Sequence, residues 1–205
     1  MDSRIDRAMQ RTRRYWYEDG LGEIAKGAIF FLIGLVLFVP EVVPRDTLPR
    51  SFSALALPVI VIGGILLASR LLAAAKARLT YPRTGYVAYQ RPTPARRLAT
   101  VVLAMGISGL IAALAVRPEA RPFLPIIQGA FLGAVFVYLG CWLGLPRFYV
   151  LAAIGILSGV ATYLGGLRFN LSLAVIFMVM GAALILSGII TRRAYLRHTG
   201  PLSEA

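Results

Sequence analysis

The sequence predicts an all-α, polytopic membrane protein: six transmembrane helices as three helical hairpins, preceded by an N-terminal amphipathic interfacial helix. Three observations predict this class. Hydrophobic residues make up 58% of the chain and charged residues only 15%, against about 25% charged in soluble domains. The apolar residues fall in runs of about 20, the length that crosses a hydrocarbon core. Lysines and arginines gather at the ends of those runs, where they meet headgroups and fix topology.

In chain order, residues 1–20 form an amphipathic segment. Ile5, Ala8, Met9, Thr12 and Trp16 recur at helical steps, and Arg4, Arg7, Arg11 and Arg14 recur on another face, the pattern of a helix lying in the interface. Five arginines precede residue 15 and no small-residue cleavage site follows the first apolar run, so that run reads as a retained span. Glu18, Asp19 and Gly20 then turn the chain into hairpin 1, residues 21–79. Its first span covers Gly22 to Val39, with Glu23 and Lys26 three residues apart, close enough to pair as an anchor. Pro40, Pro44 and Pro49 are expected to end that helix. The second span, Phe52 to Ser69, contains Pro58 as a kink and continues into an alanine-rich helical extension.

Residues 80–97 form the only long polar connection. Hairpin 2, residues 98–145, holds spans over Leu98–Val116 and Phe123–Leu145. Hairpin 3, residues 146–191, holds spans over Phe148–Leu164 and Leu171–Ile190, and residues 192–205 form a tail. The turn after span one reads Pro40-Glu41-Val42-Val43-Pro44 and the turn after span three Pro118-Glu119-Ala120-Arg121-Pro122. Their shared Pro-Glu-x-x-Pro suggests hairpins repeated in parallel about the membrane normal.

Of the 22 lysines and arginines, only Arg45, Arg50, Arg117, Arg121 and Arg168 fall on one side of this arrangement. The positive-inside rule therefore places both termini and the 80–97 loop in the cytoplasm. The formal charge of +13 is assigned to anionic headgroups at the cytoplasmic face and not to nucleic acid, because no groove-reading fold fits among the spans.

Small residues mark where helices approach, since association in lipid depends on close van der Waals contact. Gly129, Gly133, Gly140 and Gly144 share one sector of span four, and Ala152, Gly155, Gly159, Thr162 and Gly166 align on span five. These two spans are expected to pack together. Ala174, Gly181 and Gly188 recur at seven-residue steps on span six, the spacing of a left-handed crossing. The same faces could join two copies of the chain, so self-association stays open.

Chemistry is sparse. Away from the span ends no run contains Asp, Glu, His, Lys or Arg, which argues against a proton relay or voltage sensor. The polar residues inside the runs are Ser108, Gln128, Tyr138, Ser158, Thr162, Tyr163 and Ser187, read as hydrogen-bonding to neighbouring helices. One histidine, His198, and one cysteine, Cys141, supply neither a metal cluster nor a disulfide. Cys141 is read as packing, with no base beside it. No catalytic residue, metal site or cofactor is implied. Glu18, Asp19 and Glu23 remain the acids placed where a lipid phosphate could sit.

The 80–97 loop interleaves Tyr81, Tyr86 and Tyr89 with Arg83, Arg91, Arg96 and Arg97. With Arg13, Arg14, Tyr15 and Trp16 on the same face, it forms a basic and aromatic platform for headgroups or for a protein partner in the membrane or cytoplasm. Its Arg-Arg-Tyr-Trp-Tyr-Glu-Asp-Gly and Tyr-Pro-Arg-Thr-Gly-Tyr-Val segments resemble uncharacterised bacterial inner-membrane proteins, which implies a location and no activity. The sequence thus points to a multi-pass subunit or scaffold of a bacterial cytoplasmic membrane. The competing classes are a small transporter or flippase of amphiphiles, along the glycine faces of spans four and five, and an enzyme modifying lipid headgroups with Glu18, Asp19 or Glu23.

Overall fold

The computed structural model describes residues 19–43, 52–79 and 94–198, together with Tyr17 and Thr47. Its elements are α1 (Leu21–Val42), α2 (Phe52–Leu79), α3 (Pro94–Val116), a 3-10 turn (Arg121–Phe123), α4 (Leu124–Leu143), α5 (Arg147–Leu164) and α6 (Phe169–His198). Among the described residues every regular element is helical. Five helices, α1, α2, the Arg121–Leu143 stretch carrying α4, α5 and α6, are long and apolar enough to cross a membrane. Helix α3 spans 23 residues.

Local chemistry sets the helix ends. Gly20 starts α1 at φ 68, a left-handed conformation that costs an L side chain energy. The Asp19 Oδ1 accepts the Leu21 N–H at 3.2 Å, satisfying one donor of the first turn. Pro40 lies inside α1, which continues to Val42 and closes with the Val43 N–H on the Val39 carbonyl at 2.9 Å. The proline therefore does not end the helix; it falls in the last turn, where few further bonds depend on it. Helix α3 starts at Pro94, a residue whose missing N–H costs nothing at a first helical position. Gly144 ends α4 at φ 66 with its N–H on the Gly140 carbonyl at 2.9 Å, and Pro146 caps α5 one residue before Arg147. At 30 residues, α6 is about 45 Å long, so its arginine-bearing end extends past a hydrocarbon core of about 30 Å.

The core is four helices. Helix α1 packs most extensively on α6 and α4 on α5, and α5 meets α6 to join the two pairs. Leu143, Leu145, Phe148, Leu151, Ile176, Met180 and Leu184 fill the junction. Helix α2 attaches through α1, and none of its apolar window is buried. Among the described residues, helix α3 makes its main contacts with the 3-10 turn and α4. Two long helices thus lie outside the packed core.

Glycines set both pairings. Gly20, Gly27 and Gly34 recur at heptad spacing on the α1 side, opposite Gly188, Gly181 and Ala174 on α6. A Cβ on Gly27 would lie 2.8 Å from the Gly181 carbonyl, and one on Gly34 would lie 2.8 Å from the Ala174 carbonyl. The backbones therefore touch along an antiparallel seam, where dispersion replaces the hydrophobic effect as the source of adhesion in lipid. The α4–α5 pair uses a four-residue step instead. Cβ atoms on Gly129 and Gly159 would each meet the other helix's backbone, at 2.7 Å from the Gly155 carbonyl and 2.5 Å from the Pro125 carbonyl. Gly133 faces Ile156 and Ala152, and Gly140 lies against the Tyr149 ring. Gly144 serves the turn.

Candidate functional site

Charged side chains converge at one end of the core, where the first turns of α1 and α5 meet the last third of α6. Glu23 is buried, 2% exposed, although it belongs to a largely apolar helix. Its Oε2 accepts the Ser187 hydroxyl at 2.7 Å, and its Oε1 lies 2.7 Å from the Arg147 Nη2. That second approach is off the N–H direction, so it acts as an ion pair and not as an aligned hydrogen bond. The Arg147 guanidinium also donates to the Tyr17 carbonyl, which ties the segment preceding α1 to the start of α5.

Aromatic rings close this cluster. The Tyr17 ring meets Phe148 edge-on at 6.0 Å, and Phe148 stacks on Phe136 at 6.2 Å. Lys26 sits 4.9 Å over the Tyr17 ring and donates to its hydroxyl at 3.5 Å. Glu23 and Lys26 are therefore not each other's partners: Glu23 turns to the α5–α6 side and Lys26 stays exposed on the Tyr17 side. Asp19, four residues before Glu23 in the chain, is fully buried. Arg147 Nε and Arg192 Nη1 are buried with no hydrogen-bond acceptor.

The arrangement holds charge in place. One oxygen of the carboxylate faces a guanidinium and the other accepts a hydroxyl, so using it as a base means breaking that ion pair. Polar contacts here join three helices, and removing either charge would strand the other. Among the described residues no group of three His, Cys, Asp or Glu could hold a metal ion.

The other polar residues divide. Ser187 bonds across helices to Glu23. Ser158 donates to the Gly155 carbonyl at 2.9 Å, and Thr162 donates to the Ser158 and Gly159 carbonyls at 2.9 and 3.0 Å, all within α5. Tyr163 stacks on Phe123 at 5.8 Å, and Tyr138 is exposed. Cys141 is exposed rather than packed, and its Sγ accepts the Tyr149 hydroxyl at 3.4 Å.

The platform residues Arg13, Arg14, Tyr15, Trp16, Tyr81, Arg83, Tyr86 and Tyr89 lie outside the described residues, as do the amphipathic segment 1–16, Glu18 and the tail 199–205. The residues that sequence reasoning did not assemble are Glu23, Arg147 and Ser187. The available signal was one acid in the first turn of an apolar run, with an arginine and a serine at the same depth on other runs. The Gly20-Gly27-Gly34 heptad was likewise present in the sequence and pairs with the α6 heptad. No family model matches the chain, and no curated protein or solved structure matches it either.

Proposed function

We propose that the protein is a non-enzymatic scaffold subunit of a bacterial cytoplasmic membrane, with six spans and both termini in the cytoplasm. It docks a partner through the platform of Arg13, Arg14, Tyr15, Trp16, Tyr81, Arg83, Tyr86 and Tyr89. The observation that carries this reading is the position of α2 and α3. The loop bearing Tyr81 to Tyr89 connects the two helices that stay off the core, and no residue in the apolar window of α2 is buried. A clamped four-helix body with two outlying helices and a basic, aromatic link between them has the layout of an anchor that presents a surface.

The competing readings draw less support. Of the acids offered for headgroup chemistry, Glu23 is committed to Arg147 and Ser187, Asp19 accepts the Leu21 N–H, and Glu18 lies outside the described residues. The glycine faces of α4 and α5 close on each other and leave no path between them. The test is purification of the full chain in mild detergent with its lipids retained. A stoichiometric partner is expected, crosslinked from Ile62 on α2 and lost from an Arg83→Ala, Tyr86→Ala variant. A chain that purifies alone and crosslinks only to lipid would reject the scaffold reading.

A further inference from the structure

An apolar groove of about 470 Å³ runs along the α5–α6 seam, lined by Ile154, Leu157, Ala161, Leu167, Val175 and Val179. It occupies the half of the seam away from the Glu23–Arg147 clamp. Along this seam α5 is held chiefly by α4, and α6 chiefly by α1. Ser158 and Thr162 also border it, yet their hydroxyls are spent on carbonyls of α5, so the wall offers nothing polar. A hydrocarbon chain matches such a wall, and a polar ligand does not.

The mouth differs. The turn between α5 and α6 is pinned by the Leu167 N–H on the Thr162 carbonyl at 3.3 Å and by the Ser172 hydroxyl on the Leu167 carbonyl at 3.2 Å. This fixes Leu167 in the groove wall, and the next residue in the chain, Arg168, is exposed. Among the described residues no carboxylate forms an ion pair with Arg168, and Glu41 at the same end accepts from Asn170 at 3.3 Å. An apolar slot with an exposed arginine next in the chain to a lining residue suits an acyl chain carrying an anionic headgroup.

We infer that the α5–α6 groove binds one anionic phospholipid, its acyl chain along Leu157, Ala161 and Val179 and its phosphate on Arg168. Native mass spectrometry of the full chain in mild detergent, titrated with phosphatidylglycerol or phosphatidylcholine, tests this. The unaltered chain should retain one phosphatidylglycerol with about fivefold preference, the factor expected from one basic residue at an anionic headgroup. Arg168→Gln should abolish the preference while retention of both lipids persists. Ala161→Phe, a change at an exposed groove position, should reduce retention of both lipids, whereas Leu66→Phe on the outlying α2 should change neither. Equal retention of the two lipids by the unaltered chain would overturn the headgroup assignment. Equal behaviour of Ala161→Phe and Leu66→Phe would overturn the groove. A dimer dissociated by Ala161→Phe would assign the groove to a second copy instead.

Discussion

The Arg147 guanidinium lies 2.7 Å from the Glu23 carboxylate, joining the first turn of α5 to the first turn of α1 in a site where Glu23 is 2% exposed. Breaking such a pair on one side leaves a charge buried without compensation, which costs more than the pair contributes. Arg147→Met should therefore destabilise the protein by about 3 kcal/mol, the low end of the usual range because Arg147 keeps some solvent contact. Glu23→Gln combined with Arg147→Met should recover most of that loss. Thermal unfolding in detergent measures both; equal melting of the single and double variants would show that the ion pair contributes no coupling.

On α1, two glycines separated by little more than one turn should respond in opposite ways. A Cβ at Gly27 meets the Gly181 carbonyl and the Ile185 nitrogen at 2.8 Å, both backbone atoms that cannot swing away, and a Cβ at Gly22 meets nothing within 4 Å. Gly27→Ala should cost about 1–3 kcal/mol by overpacking. Gly22→Ala should cost nothing and add up to about 1 kcal/mol of helix propensity. The same unfolding assay decides, and a neutral Gly27→Ala would mean that α1 and α6 do not touch along this seam.

A second contrast tests the α4–α5 pair. Gly159 has no room for a methyl group, with the Pro125 carbonyl 2.5 Å from its Cβ position, while Gly155 has ordinary contact, the Gly133 nitrogen being 3.4 Å away. Gly159→Ala should be destabilising by about 1–3 kcal/mol and Gly155→Ala by well under 1 kcal/mol. Equal effects would show that the helices cross at a different point.

Topology can be read with single cysteines, since Cys141 is the only native one. In a Cys141→Ser background, an impermeant maleimide applied outside intact cells should label Arg168→Cys but neither Tyr86→Cys nor Ser203→Cys. Labelling of Tyr86→Cys from outside would refute the six-span arrangement with a cytoplasmic loop.

What the sequence discloses and what it withholds follow from the range of each interaction. All-α character and several apolar helices are local properties, written in run length and hydropathy, and the structure has them. The start of α3 is read too late, at Leu98 after a loop to Arg97, whereas the helix begins at Pro94, a residue suited to a first helical position. Helical spacing does mark Gly129, Gly133, Gly155 and Gly159 as a small face, because that needs only the 100° step. What a face meets is not local. Glu23 has Lys26 within reach on its own helix, and nothing in the spacing says that its partners come from Arg147 and Ser187, far along the chain. Pro40 misleads for a related reason: its effect depends on how many turns remain after it, and in α1 almost none do.

The seam between α1 and α6 joins the earliest of these helices to leave the ribosome with the last. Until α6 is made, the Gly20-Gly27-Gly34 edge faces lipid or the insertion machinery, and Glu23 lacks Ser187. Assembly must therefore hold a half-finished protein in the bilayer through the synthesis of four intervening helices, an exposed stage of the kind quality-control proteases recognise. A chain truncated before residue 169 should consequently be cleared from cells, even though its remaining helices keep every feature needed to insert.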